Sequence, residues 1–182
     1  SPDGLHLREV ETPVPKDNQI RVRIHATTVT AGDCEVRSLK FPLWLQVFLR
    51  LIIGPVQPKR NMILGTELAG EIESVGKAIT QFKPGDQVFG SAGLYFGTNA
   101  QFKCLPEKES VTIKPANMSY EEAATVPFGG RDALHFLRKA NIQPGQKVLI
   151  NGAGGSIGTY AVQLAKHFGA VVTGVDSGDK LD

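Results

Sequence analysis

A glycine-rich stretch between two apolar segments limits the possible folds of this chain more than any other feature. The stretch GAGGSIG runs from Gly152 to Gly158, directly after the apolar strand pattern KVLIN. From Ile157 onward, apolar residues recur at a spacing that puts them on one face of a helix. They are Ile157, Ala161, Leu164, Ala165 and Phe168. Gly169 stands where such a helix ends, and AVVTGV predicts a second, buried strand. This order predicts a βαβ unit with parallel strands and a right-handed crossover.

The spacing of the glycines in this turn predicts a phosphate site. Gly152, Gly155 and Gly158 approach, but do not match, the G-x-G-x-x-G pattern of dinucleotide-binding turns. Positions without side chains let the backbone approach a pyrophosphate, and a helix that begins near Ser156 directs its unpaired N–H groups at it. The alternative is a glycine-rich turn with a purely structural role. We expect a dinucleotide site that includes Gly152, Gly154, Gly155, Ser156, Ile157 and Gly158.

The residues after the second strand bear on the choice of cofactor. Asp176 stands about 20 residues after the glycine turn, where an acid binds the adenosine ribose and favours NAD. Ser177 and Lys180 favour NADP instead, because a hydroxyl and an ammonium can hold a 2′-phosphate. The sequence alone leaves both cofactors open.

The first two-thirds of the chain predicts a β-rich domain of short strands separated by glycine and proline turns. The segment from Ile20 to Ile24 alternates apolar and charged residues, as a half-buried strand does. The segment from Glu67 to Gly76 has strand character, and its Gly70 predicts a bend or bulge. KPGDQVFG places a Pro-Gly turn before a further strand, and AQFKCL alternates again.

Two helices are predicted between this region and the glycine turn. Ser119 and Glu122 have the spacing of a capping box, so a helix begins there and should stop near Pro127. ALHFLRKANIQPG predicts a second helix, which ends before the turn at Pro144.

Composition and charge argue against several classes of protein. The formal net charge is +2 without a basic block, so no preference for nucleic acid or an anionic membrane is visible. Cys34 and Cys104 fit no metal spacing and are expected to be reduced thiols.

The apolar run from Leu43 to Gly54 is too short to span a membrane; we expect a buried or half-buried helix, or the wall of a pocket or interface. The polar first residues predict no signal peptide, and a cytoplasmic protein is expected.

Several stretches together resemble the medium-chain dehydrogenase/reductase superfamily, and most closely its zinc-independent, quinone-oxidoreductase-like branch. They are VTAGD, ILGTELAGEIESVG, FKPGDQVFG, MSYEEAATVPFGG and the run from ALHFLRKA to HFGA. The resemblance covers essentially the whole chain. It implies an α/β protein with a β-rich, GroES-like barrel at 1–118, then linking helices and the first βαβ unit of a truncated Rossmann domain at 119–182. It also implies hydride transfer from a nicotinamide cofactor.

The metal positions of the zinc-using members of this superfamily carry other residues here. Where those members place Cys and His, this chain has Thr30 and Thr66, and VPFGG offers no Cys for the third position. The four-cysteine lobe that binds structural zinc is absent from the sequence as well. Because the threonines at positions 30 and 66 are poor zinc ligands beside a thiolate or an imidazole, we expect no catalytic zinc.

Without a Lewis acid, the resemblance implies an activated acceptor such as a quinone or an α,β-unsaturated carbonyl. The conjugated system spreads the charge of an added hydride, so the protein needs mainly proximity, one hydrogen bond and a dry pocket. By family position, Thr30, Asp33 and Thr66 lie near the nicotinamide. Asp33 is expected to hold local backbone or to pair with Arg37. Thr66 is expected to offer a hydroxyl to a carbonyl, or to be only a polar strand end.

One departure from the superfamily pattern adds a further pocket candidate. Relatives carry small or apolar residues and a threonine where this chain has Arg131 and Asp132. Asp132 therefore either changes the substrate pocket or forms an ion pair with Arg131 at a helix start. His135 and His167 are expected to be packing or surface residues, because no histidine pairs with a nucleophile.

The leading hypothesis is a reductase of quinones or enones that prefers NADPH and can use NADH. The alternatives are a zinc-dependent alcohol dehydrogenase and a non-catalytic binding module. A doubly wound sheet needs further strands to cover both faces, so we expect the chain to be part of a larger, homodimeric reductase and inactive by itself.

Overall fold

The computed structural model describes residues 6–38, 63–108 and 111–180. The chain forms two compact units, Ser1–Ala124 and Thr125–Asp182, and each is described by itself. The apolar run from Leu43 to Gly54, predicted as a helix or a pocket wall, lies outside the described residues. Among those described, no helix has the length and apolar character that crossing a bilayer requires.

The first unit is built on a five-stranded antiparallel sheet with the strand order β4-β1-β2-β3-β5. Its strands are β1 (Gln19–Thr27), β2 (Glu67–Val75), β3 (Gln87–Ser91), β4 (Phe102–Pro106) and β5 (Val111–Ile113). Helix α1 (Ala31–Ser38) follows β1, and a short 3-10 helix (Gly93–Tyr95) follows β3.

The core of this unit confirms the alternation seen in the sequence. Ile20 and Val22 are fully buried on one face of β1, whereas Arg23, between Val22 and Ile24 in the sequence, is exposed. Residues from the neighbouring strands complete the same cluster, namely Leu68, Ile72, Val88, Ala92 and Leu105. A second, smaller cluster on the sheet contains Ala69, Ala123 and Ala124.

The irregularity predicted at Gly70 is present. The register between β1 and β2 shifts between Ile24 and Ala26, opposite Gly70 and Ala69. A Cβ atom on Gly70 would overlap the Arg23 carbonyl oxygen, so the close approach of the two strands requires glycine there.

Helix α2 (Tyr120–Lys139) corrects the prediction of two separate helices. The capping box is confirmed: the Ser119 N–H donates to a Glu122 carboxylate oxygen at 2.8 Å, and the Glu122 N–H donates to the Ser119 hydroxyl at 3.2 Å. The predicted stop near Pro127 is wrong, because the helix continues through this buried proline. Proline removes one helical hydrogen bond at a cost of about 3 kcal/mol. Apolar packing on both sides of it, by Ala123 and Ala133, offsets that cost.

The second unit contains the predicted βαβ element. The strands β6 (Lys147–Asn151) and β7 (Val171–Val175) pair in parallel, and helix α3 (Ser156–His167) connects them. Ala161 and Ala165 are buried on the predicted face of α3, with Ile150 and Val172 packed against them. Gly169 has a φ of +82°, as expected of a residue that ends a helix.

The prediction that β7 is a buried strand is wrong for one of its faces. Val172 packs against the core, but Val171 is 58% exposed and Val175 is 42% exposed. Leu149 on β6 is 68% exposed. The helices of the described residues therefore cover one face of this two-stranded sheet.

Candidate functional site

The glycine turn between β6 and α3 is fixed by backbone hydrogen bonds. The N–H groups of Gly152 and Ala153 both donate to the Val175 carbonyl, at 2.7 and 3.1 Å, which ties the turn to the end of β7. The Gly155 N–H donates to the Gly152 carbonyl at 3.0 Å. Gly152 has a φ of +79°, which strongly favours glycine.

Close packing inside the turn explains its last glycine. A Cβ atom on Gly158 would overlap the Gly152 carbonyl oxygen, so the first turn of α3 lies directly against the loop. Gly155 is the residue before the helix and has extended backbone angles. The first N–H groups of a helix have no acceptor within it. In α3 these N–H groups belong to Ser156, Ile157 and Gly158, because the helix begins at Ser156, as the sequence predicted.

Asp176 binds the glycine turn, a contact that the sequence did not predict. One carboxylate oxygen accepts the Gly154 N–H at 2.7 Å, and the other accepts the Ser177 N–H at 2.8 Å. The side chain is only 9% exposed, and the Lys180 ammonium lies 3.9 Å from it. The hydrogen bond from the Ser177 N–H makes the largest contribution to lowering the pKa of the Asp176 carboxyl, and the Gly154 N–H makes the next largest. The charge of Lys180 lowers this pKa further.

Asp33 and Thr30 satisfy one another in the first unit. The Asp33 carboxylate accepts the backbone N–H and the hydroxyl of Thr30, at 2.8 and 2.9 Å. Its other oxygen accepts the Gly65 N–H at 3.2 Å, and the side chain is buried. This confirms the expectation that Asp33 holds local backbone. The alternative pairing with Arg37 concerns a side chain outside the described residues.

Thr66 lies beside these residues, just before β2. Its carbonyl accepts the Ala92 N–H at 2.7 Å and the Ser91 hydroxyl at 3.1 Å. The side chain is half-buried. Within the described residues, no hydrogen bond involves the Thr66 hydroxyl, whereas the Thr30 hydroxyl donates to Asp33.

A buried acid next to Thr66 was missed at the sequence level. Glu67 is 3% exposed, and its carboxylate accepts the Thr28 hydroxyl at 2.5 Å. The Thr27 hydroxyl donates to the Glu67 carbonyl at 2.8 Å. An acid at the start of the otherwise apolar stretch ELAG was the only available signal, since the threonines are far away in sequence.

Asp132 forms an ion pair with Arg131 at 3.3 Å, one of the two roles considered for it. The pair lies in the middle of α2 and not at a helix start. His135 and His167 are exposed on helices, as expected. Both Cys34 and Cys104 are free thiols. In the described part of the chain, no group of three or more His, Cys, Asp or Glu side chains is arranged to hold a metal.

Comparison with known proteins agrees with this architecture. Residues 16–178 match the alcohol dehydrogenase GroES-like domain. A quinone oxidoreductase of Sus scrofa is 30% identical over 175 residues, which are 95% of this chain and 49% of that protein. The structure of Escherichia coli quinone oxidoreductase complexed with NADPH matches with a TM-score of 0.75 and 29% identity, over 95% of this chain and 49% of that chain. The CurK enoyl reductase structure matches with a TM-score of 0.80 and 29% identity, over 98% and 52%.

These matches define the class of protein. The chain belongs to the medium-chain dehydrogenase/reductase superfamily, through its alcohol dehydrogenase GroES-like domain, and to the quinone-oxidoreductase-like branch within it. Its GroES-like, sheet-rich region is followed by part of a Rossmann fold. The chain spans about half the length of the quinone oxidoreductases that it matches.

Proposed function

We propose that the protein that carries this chain is an NAD(P)H-dependent reductase that transfers a hydride to a quinone or an α,β-unsaturated carbonyl without zinc. The observation that carries the proposal is the glycine turn. It packs tightly against the start of α3 at Gly158, and its backbone is hydrogen-bonded to the end of β7. In this proposal residues 1–118 bind the substrate, and residues 119–182 begin the cofactor domain.

The turn fits the pyrophosphate of a dinucleotide. Because Gly155 has no side chain and Gly158 lets α3 pack directly against the turn, an anion can approach the backbone at the start of the helix. The N–H groups of Ser156 and Ile157 are suited to bind it. When bound, the reduced nicotinamide supplies the hydride, and the chain supplies position and hydrogen bonds.

Contacts of Asp176 support a preference for NADPH over NADH. Both of its oxygens accept backbone N–H groups, so this acid is less available to the ribose than the sequence suggested. Ser177 and Lys180 are exposed beside it, and a hydroxyl and an ammonium suit a 2′-phosphate. The NADPH complex of the Escherichia coli relative is consistent with this choice.

Thr66 is the best candidate for the hydrogen bond to the substrate carbonyl. The Thr30 hydroxyl already donates to Asp33, whereas the Thr66 hydroxyl has no such acceptor in the described residues. Threonine at both positions favours an acceptor that needs a hydrogen bond rather than a metal ion, and a conjugated carbonyl meets that condition. The name of the CurK relative, an enoyl reductase, supports the same substrate class.

The test is anaerobic oxidation of NADPH and NADH by the protein that carries this chain, with a panel of quinones and enones. We expect turnover with at least one acceptor, a lower KM for NADPH than for NADH, and no loss of activity after dialysis against a chelator. About one tightly bound zinc per chain, with activity lost on its removal, would identify a zinc-dependent alcohol dehydrogenase instead. Tight cofactor binding without turnover of any acceptor would contradict the proposed activity.

A further inference from the structure

A loop formed by residues 92–99, called the tethered loop below, is hydrogen-bonded at both ends to the stretch that contains Thr66. At its start, the Ala92 N–H donates to the Thr66 carbonyl. At its end, the Thr98 N–H donates to the Gly65 carbonyl at 3.3 Å, and the Asn99 N–H donates to the Leu64 carbonyl at 2.9 Å. Both ends of the loop are therefore fixed to the three residues 64–66.

The middle of the tethered loop has an unusual backbone. Gly93 and Gly97 have φ values of +53° and +94°, and Phe96 between them has a φ of +43°. A left-handed φ strains a residue that is not glycine, and such strain persists only where the surroundings hold it. The strained backbone of Phe96 therefore requires contacts from other residues to hold it.

Lys103 provides that restraint. Its ammonium donates to the Tyr95 carbonyl at 3.3 Å and to the Phe96 carbonyl. A Cβ atom on Gly97 would lie 2.9 Å from the Lys103 Nζ atom, so glycine makes room for the ammonium. Burial lowers the pKa of Lys103. The two carbonyls supply hydrogen-bond acceptors to this half-buried ammonium.

Tyr95 lies in the part of the tethered loop whose backbone Lys103 contacts. It is 68% exposed, although it belongs to a short 3-10 helix whose backbone is fixed. The Tyr95 N–H donates to the Ala92 carbonyl, and the Ala92 N–H donates to Thr66, so two successive hydrogen bonds connect the two residues. An exposed aromatic residue held this firmly is suited to bind another molecule.

We propose that Tyr95 determines substrate specificity by stacking on a planar, aromatic acceptor beside Thr66, and that Lys103 is the residue that positions it. This inference rests on the proposed function and narrows the substrate class to aromatic quinones over small acyclic enones. A ring fixed before binding loses little conformational freedom when a flat acceptor stacks on it. A small acyclic enone has no ring face and gains nothing from Tyr95.

The first test compares Y95A and Y95F in the protein that carries this chain, with 1,4-naphthoquinone and 3-buten-2-one as acceptors. We expect Y95A to raise KM for the naphthoquinone about tenfold, equivalent to about 1.4 kcal/mol, with kcat and the KM for butenone little changed. Y95F keeps the ring and should behave as the unaltered protein. F136A removes another exposed ring, 61% exposed on α2, and serves as the matched control.

The second test removes the tether. K103M lacks the donors of the ammonium, so the loop should loosen and the KM for naphthoquinone should rise as in Y95A. K103R keeps a charged donor and should restore part of the affinity, whereas K77M at an exposed lysine should change nothing. Hydrogen exchange gives a reading that needs no turnover: K103M should speed exchange at the Tyr95 and Thr98 amides.

The outcomes separate the inference from the proposed function. If the unaltered protein oxidises NAD(P)H with neither acceptor, the proposed function and the inference both fail. If it turns over both acceptors and Y95A leaves the ratio of their KM values unchanged, only the inference fails. Equilibrium titration of naphthoquinone, with a weaker Kd in Y95A but not in F136A, would support stacking independently of hydride transfer.

Discussion

The Asp176 carboxylate accepts the Gly154 N–H at 2.7 Å and thereby joins the end of β7 to the glycine turn. The Val175 carbonyl makes the same connection from the backbone side, through Gly152 and Ala153. The turn and the strand end are thus one hydrogen-bonded unit, although the βαβ crossover separates them in sequence. Any change at Asp176 should affect the shape of the turn before it affects the choice of cofactor.

The substitution D176N tests this order of effects. An amide oxygen can still accept one N–H but lacks the charge that strengthens both bonds, so the melting temperature should fall. The Kd values of NADPH and NADH should rise by similar factors, because the distorted turn serves both. K180A provides the contrast: it should weaken NADPH alone. A selective loss of NADH binding in D176N would show that Asp176 binds the adenosine ribose.

The lowered pKa of Asp176 predicts how this contribution varies with pH. The carboxylate form is favoured in the folded state, so its stabilising effect is fully present above the ordinary aspartate pKa of about 3.9. The effect is lost as the pH falls through the lower, folded-state pKa. The difference in melting temperature between the unaltered protein and D176N should therefore be constant from pH 7 to 5 and shrink below pH 4. A difference that does not change with pH would contradict the assignment.

The substitution G158A should be among the most damaging single-methyl changes in the second unit. The added Cβ would overlap the Gly152 carbonyl oxygen, which is backbone and cannot rotate away. Overpacking of this kind costs about 1–3 kcal/mol or more in the free energy of unfolding, and cofactor binding should be lost with it. G178A is the control, since nothing lies within 4 Å of a Cβ there. Urea denaturation compares the two, and equal stability would show that the turn can open.

Thr30 and Thr66 should differ in what their hydroxyl groups support. T30V removes a donor from the buried Asp33 carboxylate, so stability should fall by about 1.5–3 kcal/mol. T66V should leave stability almost unchanged and lower kcat/KM for enones by about tenfold to a hundredfold, and T66S should restore it. Thermal melts and steady-state kinetics on the same samples separate the effects. A large loss of stability in T66V, or none in T30V, would reverse the roles.

Local patterns explain why the second unit was largely predictable. A strand, a glycine turn and an amphipathic helix lie next to one another in sequence, so Gly158 and the apolar face around Ala161 carried the information. The contact between Asp176 and Gly154 was not predictable, because the same acid in the same place also suits a ribose. Pro127 misled the prediction because the penalty of a proline is local, whereas the packing that offsets it involves residues on other elements.

Contacts between distant segments account for what the sequence left open in the first unit. The strands followed from alternation and turn residues, and Asp33 was expected to hold local backbone or to pair with Arg37. The hydrogen bonds of Asp33 to Thr30 and Gly65 are seen only in the structure. The bond from Thr28 to Glu67 joins residues 39 positions apart, and no periodicity predicts it. The role of Lys103 depends on where the tethered loop returns, which only the folded sheet determines.

The capping box at the start of α2 gives a prediction that rests on both sequence and structure. Ser119 and Glu122 exchange hydrogen bonds at 2.8 and 3.2 Å, so each satisfies a backbone N–H that the helix cannot. S119A should lower the free energy of unfolding by about 1 kcal/mol, and S119D should retain most of it because aspartate is an equally good cap. Because the Ala123 and Ala124 cluster lies on the next turn, hydrogen exchange in S119A should increase at those amides first. Unchanged exchange there, together with unchanged stability, would mean that packing alone holds the start of the helix.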